Sequence, residues 1–229
     1  MSPLCLGVAL ALVITVRAHG GVPAPLTRGE LKALCTIDAS ATQTCVGYIA
    51  GVSDELSTTV WHLGDAKATA LVAPCPGNQM AELLISLLTD LDAGPNSSLS
   101  DPALPTVQFI LHPPLGCRGS RPALPSITVF ADGARLKAYC TGSDRDERLQ
   151  CEGYIRAVAD MTLRVLRNPE VRRLKDCLPT WQTPDQAVGA SIVYLNAHPE
   201  QGKVPAPYLI KAALLPPSCM LAPKFTSPR

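Results

Sequence analysis

The side chains of this chain with the most chemistry to offer are nine cysteines and four histidines. A zinc centre calls for tight cysteine pairs, with about two to four residues between them. Among Cys35, Cys45, Cys75, Cys117, Cys140, Cys151, Cys177 and Cys219 the shortest interval is 10. His19, His62, His112 and His198 are scattered, and none stands at ligand spacing from a carboxylate or a second histidine. No glycine-rich phosphate loop is present. Paired as disulfides, the eight cysteines leave no thiolate to serve as a nucleophile. The sequence therefore predicts no metal, no cofactor and no catalytic residue, and points away from an enzyme toward a protein that binds.

The eight cysteines form two sets of four, with intervals of 10, 30 and 42 in the first and 11, 26 and 42 in the second. Their neighbours agree: LKALC at 31–35 answers LKAYC at 136–140, and CVGYIAGVSD at 45–54 answers CEGYIRAVAD at 151–160. The chain reads as one module written twice, with a period of about 105 residues. The ninth cysteine, Cys5, lies in an apolar run from Leu4 to Val16 that is short for a bilayer span. Val16 and Ala18 supply the small residues of a cleavage site before His19, so residues 1–18 read as a signal peptide. An even number of remaining cysteines in an oxidising compartment predicts two disulfides per repeat, in any of three pairings. Closing a 42-residue interval would remove about 4 kcal/mol of unfolded-chain entropy.

The elements that must position these cysteines are helical. Cys45, Ile49, Val52, Leu56 and Val60 recur at helical spacing, and Cys151, Ile155, Val158, Thr162 and Leu166 take the same steps. Gly47 and Gly51, mirrored by Gly153 and Ala157, set small residues four apart on one face, where another helix could approach closely. Tyr48 and Tyr154 beside that face read as packed residues with a bonded hydroxyl. Short helices are expected ahead of these, over 29–38 and 133–141. Thr183, Pro184 and Gln186 predict a capped helix start, with a counterpart over 78–91. Proline-opened last helices are expected in PALPTVQFIL at 102–111 and PAPYLIKAALL at 205–215, the first weakened by Thr106, Val107, Phe109 and Ile110. The expected fold is all-α: two tandem disulfide-stapled bundles of about four helices each, over 28–117 and 133–220. A linker at 118–132, with an apolar patch at 127–130, joins them, and a tail follows at 221–229.

The near-neutral total hides an asymmetry. Residues 28–117 carry three basic and nine acidic side chains, a net of minus six, whereas 118–229 carry sixteen and ten, a net of plus six. Such a difference docks the halves on each other, polarises the outer surface for a partner, or is drift between solvated faces. Nucleic acid is not the expected partner: the run Arg164, Arg167, Arg172, Arg173 and Lys175 sits in an exported chain beside an acidic half.

FADGARLKAYC at 130–140, CEGYI at 151–155, YLNAHPE at 194–200 and a proline-opened last helix closing at Cys219 together resemble the Rap/Tai immunity proteins. The first repeat keeps LKALC and CVGYIAG but reads LDAGPNS at 91–97 where YLNAHPE would fall. The resemblance implies an exported α-helical protein of the Gram-negative periplasm that binds and neutralises a peptidoglycan amidase effector of type VI secretion. It marks Gly47, Tyr48, Ile49, Gly153, Tyr154, Ile155, Tyr194, His198, Pro199 and Glu200 as family-pattern positions. Members of the family usually carry one such domain and some act as homodimers, so a fused tandem implies an intramolecular pseudo-dimer.

The loops that break the repeat most are the expected partner contacts. One is 94–101, with Asn96 and Asp101; the other is 143–148, where Asp144, Arg145, Asp146, Glu147 and Arg148 are consecutive charges. For Tyr194, His198 and Glu200 a helix C-terminus with a histidine on exposed carbonyls is the plainer reading. The competing functional class is an exported helical module that holds a small ligand, lipid or envelope component in a groove between the bundles, which would demand a large apolar pocket.

Overall fold

The computed structural model describes residues 24–63, 88–89, 98–111, 131–167, 177 and 179–219. Seven α-helices are set among them, and no strand is. α1 (Arg28–Thr36) starts at a complete capping box, in which Thr27 Oγ1 accepts the Glu30 N–H and Glu30 accepts the Thr27 N–H. It ends short of the expected 38 because Asp38 already serves the next helix, accepting the Ala41 N–H at 2.7 Å. α2 runs from Ala39 to Leu63 and α3 from Leu104 to Leu111. α3 is helical despite its poor intrinsic propensity: Leu104, Val107 and Leu111 are all buried, and tertiary burial outweighs a few tenths of a kcal/mol per residue.

The second half repeats the plan. α4 (Gly133–Thr141) is capped by Asp132, and α5 (Arg145–Leu166) by Asp144, whose carboxylate accepts the N–H groups of Asp146 and Glu147. α6 (Pro184–Ala197) begins as its sequence predicts, with Thr183 and Gln186 forming a capping box around a first-turn proline. A 3-10 turn at Pro199–Gln201 leads to α7 (Ala206–Leu214), and another closes at Cys219. The expected helix over 78–91, linker residues 118–130 with the apolar patch at 127–130, residues 1–18 and the tail lie outside the described residues, 88–89 excepted.

Disulfides tie the short first helix of each half to the long second one: Cys35 to Cys45 and Cys140 to Cys151. Cys177 to Cys219 closes the 42-residue interval of the second half; Cys75 and Cys117 lie outside the described residues. Backbone bonds add a second clasp at equivalent places. The Ala103 N–H donates to Leu26 O and the Arg28 N–H to Asp101 O; in the other half the Ala206 N–H donates to Ala131 O and the Gly133 N–H to Val204 O. In each half the lead-in to the first helix is thus bound to the lead-in to the last.

The long helices α2 and α5 form the most extensive helix pair among the described residues. Their approach is set by glycine. A methyl group at Gly47 would overlap the Gln150 carbonyl, and one at Gly153 the Thr44 carbonyl. At Gly51 it would stand 2.6 Å from Tyr154 O and 2.8 Å from Ala157 Cβ. Around this seam the two cores exchange residues: Ala50 packs in the core of the second half, while Ala157 and Met161 pack in that of the first.

The obstacles at Gly47 and Gly153 are backbone atoms, which a side-chain rotation cannot move. Gly47→Ala and Gly153→Ala should therefore each cost about 1–3 kcal/mol or more, seen as a lower urea midpoint by circular dichroism. Gly189, inside α6 with nothing within 4 Å, is the control. Gly189→Ala should stabilise by up to about 1 kcal/mol.

Candidate functional site

The polar centre of the molecule lies on the α2–α5 face. Tyr48 donates its hydroxyl to Asp160 Oδ2 at 2.8 Å, and Tyr154 donates to Asp54 Oδ2 at 2.6 Å. The same two oxygens accept backbone N–H groups, Leu26 onto Asp160 and Ala131 onto Asp54, both at 3.0 Å. Each aspartate thus holds the tyrosine and the lead-in segment of the opposite half. Both carboxylates are buried.

Burial, and then the charge of the carboxylate it faces, pushes each phenol well above its ordinary pKa, so both tyrosines remain neutral donors. Burial also raises the Asp160 carboxyl, against the pull of the Leu26 N–H, the Tyr48 hydroxyl and Arg156. A carboxyl raised in the folded state keeps its proton longer than in the unfolded chain, so its contribution to stability falls as pH rises through the carboxylate range. Sealed from solvent and satisfied within the fold, these four side chains organise the two halves and present nothing to a substrate.

Other family-pattern residues are packing residues as well. Gly47, Gly153, Ile49 and Ile155 are buried, the glycines at the α2–α5 contact and the isoleucines in the core of their own half. Tyr194 and His198 stack with ring centroids 4.0 Å apart, and His198 Nδ1 lies 3.0 Å from Tyr194 O at the end of α6. Pro199 opens the 3-10 turn that follows, and Glu200 is exposed.

The charged segment 143–148 is not the loop that its composition suggests. Asp144 is the N-cap of α5 and Arg145, Asp146, Glu147 and Arg148 form its first turn, because the Asp144 carboxylate satisfies two otherwise orphan N–H groups there. Arg148 donates to Gly142 O at 2.8 Å, tying the helix start back to α4. Arg145 and Asp146 are exposed, while Glu147 and Arg148 are half-buried. Of the other candidate segment, Asn96 lies outside the described residues. Asp101 is exposed and its carbonyl accepts the Arg28 N–H at 2.7 Å.

Residues 132–215 match the family model of the Rap1a immunity proteins. This stretch is similar to a Rap1a immunity domain. The match covers α4 to α7 and includes the half whose sequence keeps YLNAHPE. No curated protein and no solved structure matches the chain. The Rap1a family suggests an immunity function against a toxin effector. The disulfides Cys35–Cys45, Cys140–Cys151 and Cys177–Cys219 fit an oxidising compartment, and no described helix is long and apolar enough to cross a membrane. Among the described residues no group of three or more histidine, cysteine or acidic side chains is placed to hold a metal.

Sequence reasoning missed Asp54 and Asp160 as site residues. The signal was present: both repeats end their matching stretch in aspartate, six residues after the tyrosine, on a helix with an apolar face. It also missed Glu55 and Lys211, which pair at 2.8 Å across the halves.

Tyr48→Phe and Tyr154→Phe each strip a donor from a buried carboxylate and should cost about 2 kcal/mol in chemical denaturation. Asp160→Asn keeps an acceptor for Tyr48 and Leu26 but cannot ionise. Relative to this variant, the native chain should lose stability as pH rises from the ordinary carboxylate range toward neutrality. Parallel pH profiles of the two urea midpoints would contradict that assignment.

Proposed function

We propose that this protein is an exported periplasmic immunity protein that binds a peptidoglycan amidase-type toxin effector and blocks it sterically, with no catalysis of its own. The observation that carries the proposal is the Rap1a immunity match over 132–215, and the apolar leader at 1–18 and the disulfides support the compartment. The chain then divides into a signal peptide, a first helical domain over 28–117, a linker over 118–132, a second domain over 133–220 and a short tail. The reciprocal bonds of Tyr48 with Asp160 and Tyr154 with Asp54 favour reading the two domains as an intramolecular pseudo-dimer.

An amidase that works through a cysteine and a histidine in an open cleft is disabled by anything that fills the cleft, and the inhibitor needs no reactive group. Charge complementarity speeds the encounter and buried anchors slow release. The corner between α4 and α5 suits such a contact. It projects charge on a rigid base, because Asp144 caps α5, Arg148 ties back to Gly142, and the Cys140–Cys151 disulfide joins the two helices just beneath. Arg145 and Asp146 are the exposed charges of that corner, and Asp101 and Asn96 mark a second contact segment on the first half.

Mature protein, incubated with exported amidases of the cell-wall-degrading type, should form a stoichiometric complex by size-exclusion chromatography and abolish peptidoglycan hydrolysis. Arg145→Glu combined with Asp146→Lys should weaken that complex at least about tenfold, the loss of roughly one good charge-assisted contact, with an unchanged urea midpoint. Recovery of a bound lipid or small molecule in place of a protein partner would overturn the proposal.

A further inference from the structure

Across the seam, the residues that would be equivalent under the repeat are not the same, and their differences are correlated. Glu55 of α2 takes the place that Met161 holds in α5, and Lys211 of α7 takes the place of Gln108 in α3. The structure pairs them accordingly: Lys211 Nζ meets Glu55 Oε1 at 2.8 Å, and Gln108 Nε2 meets Met161 Sδ at 3.2 Å. The same holds at the periphery. Arg156 lies 4.0 Å from Glu30, whereas their counterparts are Ala50 and Arg135. Arg164 meets Gln108, whereas their counterparts are Thr58 and Lys211.

If the second half were presented with a copy of itself on this face, every one of these contacts would fail. Arg156 would face Arg135, Arg164 would face Lys211, and Lys211 would lose Glu55 to a methionine. Two of these are like-charge encounters and the third strands a lysine whose side chain is only 20% exposed. The shared contacts, Tyr with Asp and glycine with backbone, survive in either pairing and cannot discriminate. Discrimination falls to Glu30, Glu55 and Gln108 on one side and Arg156, Arg164 and Lys211 on the other.

We infer that these six residues key the two halves to each other, so that the face of the second half accepts the first half of the chain and rejects a second copy of itself. The inference rests on reading the chain as a pseudo-dimer. It is independent of what the protein inhibits, because its test needs no toxin: a failed amidase complex would leave it standing. Its consequence is a chain that closes on itself instead of assembling through this seam with its own kind.

The test uses the full oxidised mature chain and urea midpoints at low salt. Glu55→Lys sets two ammonium groups against each other and Lys211→Glu sets two carboxylates; each should lower the midpoint, and the exchanged double variant should recover more than half of the summed loss. Glu30→Arg with Gln108→Lys gives the first half the second half's residues at one exposed and one half-buried position. It should lower the midpoint at low salt, with the loss shrinking in about 0.5 M salt as the exposed charges are screened. An exchanged variant no better than the sum of its single losses would overturn the inference. So would a Glu30→Arg, Gln108→Lys chain as stable as the native one at low salt.

Discussion

The approach of α2 to α5 is the constraint on which the rest of the structure depends. Where Gly47 meets Gln150 and Gly153 meets Thr44, the helices are in backbone contact, with no room for a β-carbon. That closeness brings Tyr48 and Tyr154 within reach of the opposite aspartates and lets Ala50, Ala157 and Met161 complete cores that are not their own. Each aspartate then holds the lead-in segment of the other half, through the Leu26 and Ala131 N–H groups, and those segments clasp the last helices. A chain of contacts therefore runs from one pair of glycines to both ends of both halves.

Burying two carboxylates in such a seam is an expensive way to gain stability. Desolvation opposes ionisation, as the raised Asp160 shows, and apolar residues of similar volume would often hold the helices at least as firmly. What the polar pairs add is position. A tyrosine hydroxyl and a backbone N–H converging on one oxygen are satisfied at only one relative setting of the two helices, whereas an apolar seam could slide. The cross-half ion pair of Lys211 with Glu55 adds identity to position, since it distinguishes one half from the other.

Such rigidity suits the proposed inhibitory function. The first turn of α5, with Arg145 and Asp146 exposed, is held by its own N-cap, by Arg148 on Gly142 and by the Cys140–Cys151 disulfide, so that in the proposed contact its charges are preorganised instead of being ordered at the moment of binding. The Rap1a resemblance suggests a toxin effector as partner, and the fold supplies a firm base for the proposed contact.

Much of the fold was legible in local chemistry. Thr183, Pro184 and Gln186 begin a helix wherever they stand before an apolar run, and the period-3.6 pattern through Cys151, Ile155 and Val158 needs no knowledge of the rest of the chain. Residues 143–148 misled because a dense run of charges looks like a loop by composition, although Asp144 followed by acidic residues is equally a helix start. The glycines announced a close approach without saying to what. What the sequence by itself determined is therefore helical elements, their caps and a doubled cysteine frame, since these follow from contacts between near neighbours. Only the tertiary structure decided which aspartate serves which tyrosine, which cysteines pair, and that Glu55 answers Lys211. Those choices join residues 100 or more positions apart for all but the disulfides, and a pairwise energy at that separation depends on a geometry that only the packed helices create.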